Sequence, residues 1–266
     1  MSLTLTILGC GSSGGVPRVG PHWGACDPAN PKNHRRRASA LITRRSAEGA
    51  TQVLIDSSPD MRAQLLDAGV GWLDGVLYTH DHADHVHGID DLRMIAFNGK
   101  RRVDAYFTAE TRAVLEQRFD YCFRAPPGSA YPPILNAHQL RPMQTVSISG
   151  KGGSIELLPF EQQHGDIVSL GFRIGGVAYS SDISGVLESA REALQGLDAW
   201  ILDALRYIPH PSHFSVKQAL AEIRKFEPRR AILTHLHVDL DYAKLKAELP
   251  DGVEPAYDGM RIEIAE

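Results

Sequence analysis

The sequence predicts a layered α/β sandwich rather than a doubly wound parallel sheet. Three observations lead there. Short apolar strands recur along the chain, and several follow one another directly, which breaks a regular strand–helix alternation. Helices are fewer and carry explicit capping signals. The 266 residues are 43% hydrophobic and 23% charged, the composition of a soluble globular chain able to bury a substantial core. That composition excludes a disordered or collagen-like chain.

In order, apolar strands are expected at 3–8, 40–43 and 53–56. Ser58, Pro59 and Asp60 then offer an N-cap, a proline for the first helical position and an acid for the first turn. A helix follows over 61–68, closed by Gly69. Strands at 75–79 and 104–108 precede a helix near 109–123. The segment 124–135 holds four prolines and is expected to be a surface loop, with a flap or a dimer contact as the functional alternative. A strand at 154–159 leads to a pair at 171–174 and 177–180, joined by Gly175 and Gly176 as a tight hairpin. A helix near 186–195, a strand at 199–203, a helix from the Ser215/Gln218 capping box to about Phe226 and a strand at 231–234 complete the pattern.

Charge and cysteine usage narrow the function. The 28 Lys and Arg against 32 Asp and Glu give a net charge of −4, which argues against holding duplex DNA by bulk positive charge. Cys10, Cys26 and Cys122 are widely spaced and form no CxxC pair, so no disulfide framework is indicated. The N-terminal stretch alternates threonine with leucine or isoleucine and reads as a strand rather than a signal peptide. No apolar run approaches the ~20 residues that span a bilayer. A cytoplasmic setting without membrane partners is expected.

The unusual count is histidine: 12 in all, four of them (His80, His82, His85, His87) within eight residues. The strand 75–79 runs directly into His80, His82, Asp84 and His85. Imidazole nitrogen and carboxylate oxygen are the ligands that borderline cations such as Zn²⁺ choose. Two histidines two apart can converge on one ion from a loop, and the Asp-His pair beyond them can hold a second. Two more strands end on such residues, at Asp182 and His235, and a third segment leads to His164. Side chains beyond strand ends can meet on one rim.

The motif His80-x-His82-x-Asp84-His85, followed by His164, Asp182 and His235, resembles the complete ligand set of the metallo-β-lactamase superfamily. Asp56, at the end of its strand, matches the aspartate that supports the metal loop there. The resemblance implies a single four-layer αβ/βα sandwich over residues 1–266. It also implies two divalent metals, with His80, His82 and His164 on the first, Asp84, His85 and His235 on the second, and Asp182 bridging. The flanks, residues 9–17 with Trp23 to Cys26, His213 and 257–260, are similar to the phosphoribosyl cyclic phosphodiesterase family of phosphonate catabolism. That family carries an N-terminal cysteine cluster for an extra structural zinc. Here only Cys26 stands there, with His22 or His237 as its candidate partners.

Two metals ~3.5–4 Å apart can share a hydroxide and clamp a phosphodiester for in-line attack. The ligand set suits Zn²⁺ or Mn²⁺. The expected substrate is a small cyclic phosphodiester of a sugar or nucleotide. Asp84 and His213 are the candidate catalytic residues, His213 as general acid or phosphate contact. Arg35, Arg36 and Arg37, in the strongest basic stretch, are the candidate substrate-binding residues. Asp90, Asp91 and Arg93 are expected to support the metal loop, and His210 to be a surface residue. The glycine loop 9–15 lacks the Lys-Ser/Thr of a phosphate cradle. Two other superfamily roles compete. A tRNA 3′-processing endonuclease would need an RNA-binding arm, and no long basic insertion is present. A non-hydrolytic role like that of pyrroloquinoline-quinone biosynthesis protein B is the other.

Overall fold

The structure, a computed structural model, describes residues 1–125 and 127–265. In the first sheet, β1 (Ser2–Gly9), β2 (Ser39–Ser46) and β3 (Gly49–Ile55) are antiparallel neighbours. β4 (Gly75–Leu77), β5 (Val103–Phe107) and β6 (Leu135–Gln139) extend it in parallel. The second sheet contains β7 (Val146–Gly150), β8 (Gly153–His164), β9 (Ile167–Ile174), β10 (Val177–Ser180) and β11 (Gly185–Val186). It continues in parallel from β10 through β12 (Ala199–Asp203), β13 (Arg230–Thr234) and β14 (Val253–Pro255). β15 (Arg261–Ile264) returns to pair with β1.

The parallel connections carry the helices. α1 (Met61–Ala68), α2 (Ala83–Val86), α3 (Leu92–Gly99), α4 (Ala109–Arg118) and α5 (Asp120–Phe123) belong to the first sheet. α6 (Val216–Phe226) and α7 (Tyr242–Glu248) belong to the second.

Strand alternation assigns each apolar residue to a layer. Leu5, Ile7, Val53 and Ile55 of the first sheet share one buried cluster with Phe172, Tyr179, Ile201 and Ile232 of the second. Their neighbours point the other way. Leu54 and Val76 pack with Met61, Leu92 and Leu115 from the helices. Trp200, Leu202 and Leu233 pack with Ala219, Ile223 and Leu245. The result is helices, sheet, sheet, helices: a four-layer α/β sandwich.

Several local expectations hold. Gly69, at φ +67°, closes α1, and its N–H reaches the carbonyls of Leu65 and Leu66. Ser215 and Gln218 form the reciprocal capping box of α6. Val177 pairs with Ile174 across the Gly175–Gly176 turn. Three expectations change. The segment expected to be a helix over 186–195 is instead β11 and two 3₁₀ turns, Glu188–Ala190 and Glu192–Leu194. Those turns suffice to bury Ala190, Ala193 and Leu194 against the second sheet. The helix expected over 109–123 breaks at Phe119 into α4 and α5. Pro59 precedes the first helix: Ser58 Oγ accepts from the N–H of Asp60, and α1 begins at Met61. In the segment 124–135, Pro126 lies outside the described residues, and Arg124 pairs with Glu116 of α4. Among the described residues, no helix is long and apolar enough to cross a membrane.

Candidate metal centre

Three strands deliver site residues by the same device. Asp56, Asp182 and His235 directly follow or closely follow β3, β10 and β13, and all three have left-handed backbone, with φ of 62°, 52° and 59°. A left-handed non-glycine residue is strained, and such strain persists only where the surroundings fix it. Here it turns each side chain toward one point between the sheets' ends. β4 supplies the histidine loop 80–85, and β8 ends on His164.

The side chains form two groups that share Asp182. Ligand atoms of His80, His82, His164 and Asp182 lie within 4.8 Å of one another, and so do those of His85, Asp182 and His235. Nε2 of His80 and of His164 face Asp182 Oδ2 at 3.8 and 3.7 Å. Nε2 of His85 and Nδ1 of His235 face Oδ1 at 3.0 and 3.1 Å. Asp84 Oδ2 lies 3.5 Å from Nε2 of His85.

The backs of these imidazoles are held by oxygen. His85 Nδ1 donates to Asp56 at 2.7 Å, and Asp56 also accepts from the N–H and hydroxyl of Thr79, both at 2.8 Å. His80 Nδ1 donates to the Thr79 hydroxyl at 2.9 Å, and His164 Nδ1 to the Ser212 carbonyl at 2.6 Å. Each contact leaves the lone pair of Nε2 facing inward, which is how metal-binding histidines are oriented. Arg118 braces the same loop through the carbonyl and carboxylate of Asp81.

The arrangement fits a divalent cation. His80 Nε2, His85 Nε2 and His235 Nδ1 are buried and make no hydrogen bond, although they crowd a carboxylate. Such atoms are costly to bury unless something electropositive accepts their lone pairs. Burial holds His80, His164 and His235 below the ordinary imidazole range, towards the neutral form that ligation requires, whereas at His85 burial is outweighed by the Asp182, Asp84 and Asp56 carboxylates, which hold it well above that range. Burial alone would raise Asp182, yet His235, His85 and His80 hold it well below the usual carboxylate range.

His213 stands beside this cluster. Its Nε2 is 4.0 Å from Asp182 Oδ2, and its ring stacks on His235 with centroids 4.8 Å apart. Its Nδ1 donates to Asp203 at 2.7 Å. Burial works against its charged form, but the Asp203 carboxylate outweighs it and pushes the imidazole up to about 9. Asp203 was not singled out from sequence. The signal was there: it ends β12 as Asp56 and Asp182 end their strands.

Of the candidate substrate contacts Arg35, Arg36 and Arg37, Arg35 is a correction, whereas Arg36 and Arg37 are ion-paired and partly exposed. Arg35 is 2% exposed, and its guanidinium donates to the carbonyls of Leu240 and His237 and to Asn33 Oδ1. Arg36 pairs with Asp67 at 2.7 Å and Arg37 with Asp60 at 2.7 Å. Desolvation of the Arg35 guanidinium is offset only by such partners, so Arg35 is spent on holding the N-terminal loop. The glycines serve the same packing: a Cβ on Gly9 would lie 2.0 Å from the Arg37 carbonyl. The alternative of an extra metal at Cys26 gains no support from its surroundings. Cys26 Sγ donates to the carbonyls of Val238 and Leu240, and His237 is engaged by Arg18 and Asp239. Among the described residues, neither ligand group includes Cys26, His22 or His237. Asp90 pairs with Arg93 at 2.9 Å, an exposed contact rather than a brace for the cluster.

The model of the β-lactamase superfamily domain matches residues 51–236, which span every residue of the cluster. The chain belongs to the metallo-β-lactamase superfamily. Within it, the chain is similar to a solved diphosphatase of the PhnP family, at 33% identity and a TM-score of 0.88, covering 99% of this chain and 98% of that one. It is 34% identical over 265 residues to an octanoyltransferase of Porphyromonas gingivalis (strain ATCC BAA-308 / W83), covering 98% of this chain and 51% of that protein. The chain thus spans about half the length of this curated relative. Zn²⁺-bound PqqB from Methylobacterium extorquens shares the fold at 18% identity and a TM-score of 0.71, covering 97% of this chain and 99% of that one. The PhnP likeness and the cluster support a metal-dependent hydrolase.

Proposed function

We propose that this chain is a dinuclear metal-dependent phosphodiesterase acting on a small cyclic phosphodiester of a sugar or nucleotide. The observation that carries the reading is the pair of ligand groups sharing Asp182, with His213 set against them. His80, His82 and His164 would hold one divalent ion, Zn²⁺ or Mn²⁺, and Asp84, His85 and His235 the other, with Asp182 between. Bound there, the ions supply Lewis acidity and lower the pKa of water from 15.7 to ~7.

The chain's own residues do the rest. Asp56 and Thr79 fix the rings of His85 and His80. Asp84, 3.5 Å from Nε2 of His85 but outside the two compact groups, would complete the second ion's ligands and is the candidate catalytic carboxylate. Asp203 keeps a proton on Nδ1 of His213 and favours the imidazolium, whose Nε2–H can donate to a phosphoryl oxygen or to the departing alkoxide. The chain's net charge of −4 makes this local positive charge, rather than a basic surface, the means of attracting a phosphate.

The test is turnover of bis(p-nitrophenyl) phosphate by the metal-loaded protein. His82→Ala and Asp182→Asn should each abolish it, and full activity in either variant would sink the reading. The octanoyltransferase relative favours a second reading, hydrolysis of an acyl thioester. Release of thiol from an octanoyl thioester without phosphodiester turnover would establish that instead. Cleavage of precursor tRNA in preference to small esters would favour the endonuclease role.

A further inference from the structure

The segment Pro209-His210-Pro211 lies at the surface, with both prolines exposed and His210 half-buried between them. Its loop is pinned at both ends: Leu205 N–H donates to the Phe214 carbonyl at 2.9 Å and Val216 N–H to the Arg206 carbonyl at 3.0 Å. Arg206 braces the turn between, donating from Nε to the Ile208 carbonyl at 3.1 Å and from Nη2 to the Pro209 carbonyl at 3.3 Å. Prolines on both sides restrict the backbone further.

Within this loop, His210 Nδ1 accepts from the N–H and the hydroxyl of Ser212, at 3.3 and 3.1 Å. An imidazole nitrogen that accepts carries no proton, so the proton of neutral His210 resides on Nε2. Burial, His213 and Arg206 all favour the neutral form. The ring packs 5.2 Å from that of His213, whose Nε2 in turn faces Asp182. Ser212 also accepts from His164 through its carbonyl, so one residue sets both a cluster imidazole and His210. With Nδ1 occupied, His210 has one polar side-chain atom left, the Nε2–H donor, on a ring that neighbours His213.

We infer that His210 is a substrate-binding residue whose Nε2–H donates to an anionic phosphoryl oxygen lodged beside His213. The inference rests on the phosphodiesterase reading above and names a contact that the ligand set does not supply. It requires no change in the protonation of His210, which remains neutral while it donates.

Two readouts test it. In steady-state turnover of bis(p-nitrophenyl) phosphate, His210→Ala should raise KM about tenfold with a smaller fall in kcat, the loss expected for one hydrogen bond to a charged acceptor. His210→Gln, which restores an N–H donor at a similar reach, should recover most of that loss. An unchanged KM in His210→Ala, or equal losses in both variants, would overturn the inference. Independently, ¹⁵N spectra of the metal-loaded wild type should show His210 protonated at Nε2 alone, with that nitrogen shifting on addition of inorganic phosphate. Protonation at Nδ1, or no response to phosphate, would also overturn it. A wild type that fails to turn over the ester but shows the phosphate-dependent shift would sink the phosphodiesterase reading while keeping the anion contact.

Discussion

Asp203 Oδ2 lies 2.7 Å from Nδ1 of His213, and that contact turns the other ring nitrogen to within 4.0 Å of Asp182. The pair joins a buried strand end to a half-buried loop, and it places a proton donor against the cluster without adding a ligand to it.

Replacing either member should therefore slow the reaction without emptying the site. His213→Ala is expected to lower kcat about 10²–10³-fold, the usual contribution of a positioned acid. Asp203→Asn should fall in the same range. Metal content by elemental analysis should stay at the wild-type value in both. Loss of metal along with activity would instead make His213 a ligand.

Asp56 has the opposite role. It is fully buried and accepts from His85 and twice from Thr79. Asp56→Ala would strand these donors, with an expected loss of about 3 kcal/mol in urea unfolding. Because His85 is released, the protein should also retain roughly one metal equivalent fewer than wild type.

Arg35 should behave as a structural cation. Its guanidinium meets three protein oxygens between the N-terminal loop and the segment 237–240. Arg35→Ala removes a charged donor from each of these oxygens and leaves a cavity where the buried side chain stood, so stability should drop by about 3 kcal/mol. The KM for phosphodiesters should barely change in the fraction that folds. A large rise in KM at unchanged stability would return Arg35 to the substrate.

Asp258 gives the fold a pH signature. Its carboxylate accepts from the N–H groups of Cys10 and Arg36, yet lost hydration dominates and pushes it from 3.8 up to about 6. An acid raised on folding contributes stability that is full below its unfolded pKa and is lost as pH rises through its folded value. Urea midpoints should therefore fall between pH 4 and 6 by more in wild type than in Asp258→Asn. Equal slopes would remove Asp258 as the cause.

Much of the site was legible because its residues are either contiguous or end strands. His80, His82, Asp84 and His85 occupy six positions after one strand, and Asp56, Asp182 and His235 each close another. The left-handed backbone that unites the last three was not legible, since Asp and His are enriched in that conformation but seldom adopt it. Asp203 has the same strand-end position, but its meaning depends on His213, ten residues away across a loop. Arg35 misled for a physical reason: sequence does not show whether a guanidinium faces solvent or a cage of carbonyls. His210 lies on an exposed loop, as its flanking prolines suggest, but the contacts of Ser212 and Arg206 that fix the loop are not readable from sequence. The expected helix over 186–195 had suitable apolar spacing, but two 3₁₀ turns bury the same side chains.

The most direct test of the central claim is phosphodiester turnover measured as metal is returned to chelator-stripped protein. The account predicts no turnover without metal and a rise that levels off at two equivalents of Zn²⁺ or Mn²⁺ per chain. Turnover that survives complete stripping, or a metal-loaded protein that cleaves no phosphodiester at any loading, would contradict it.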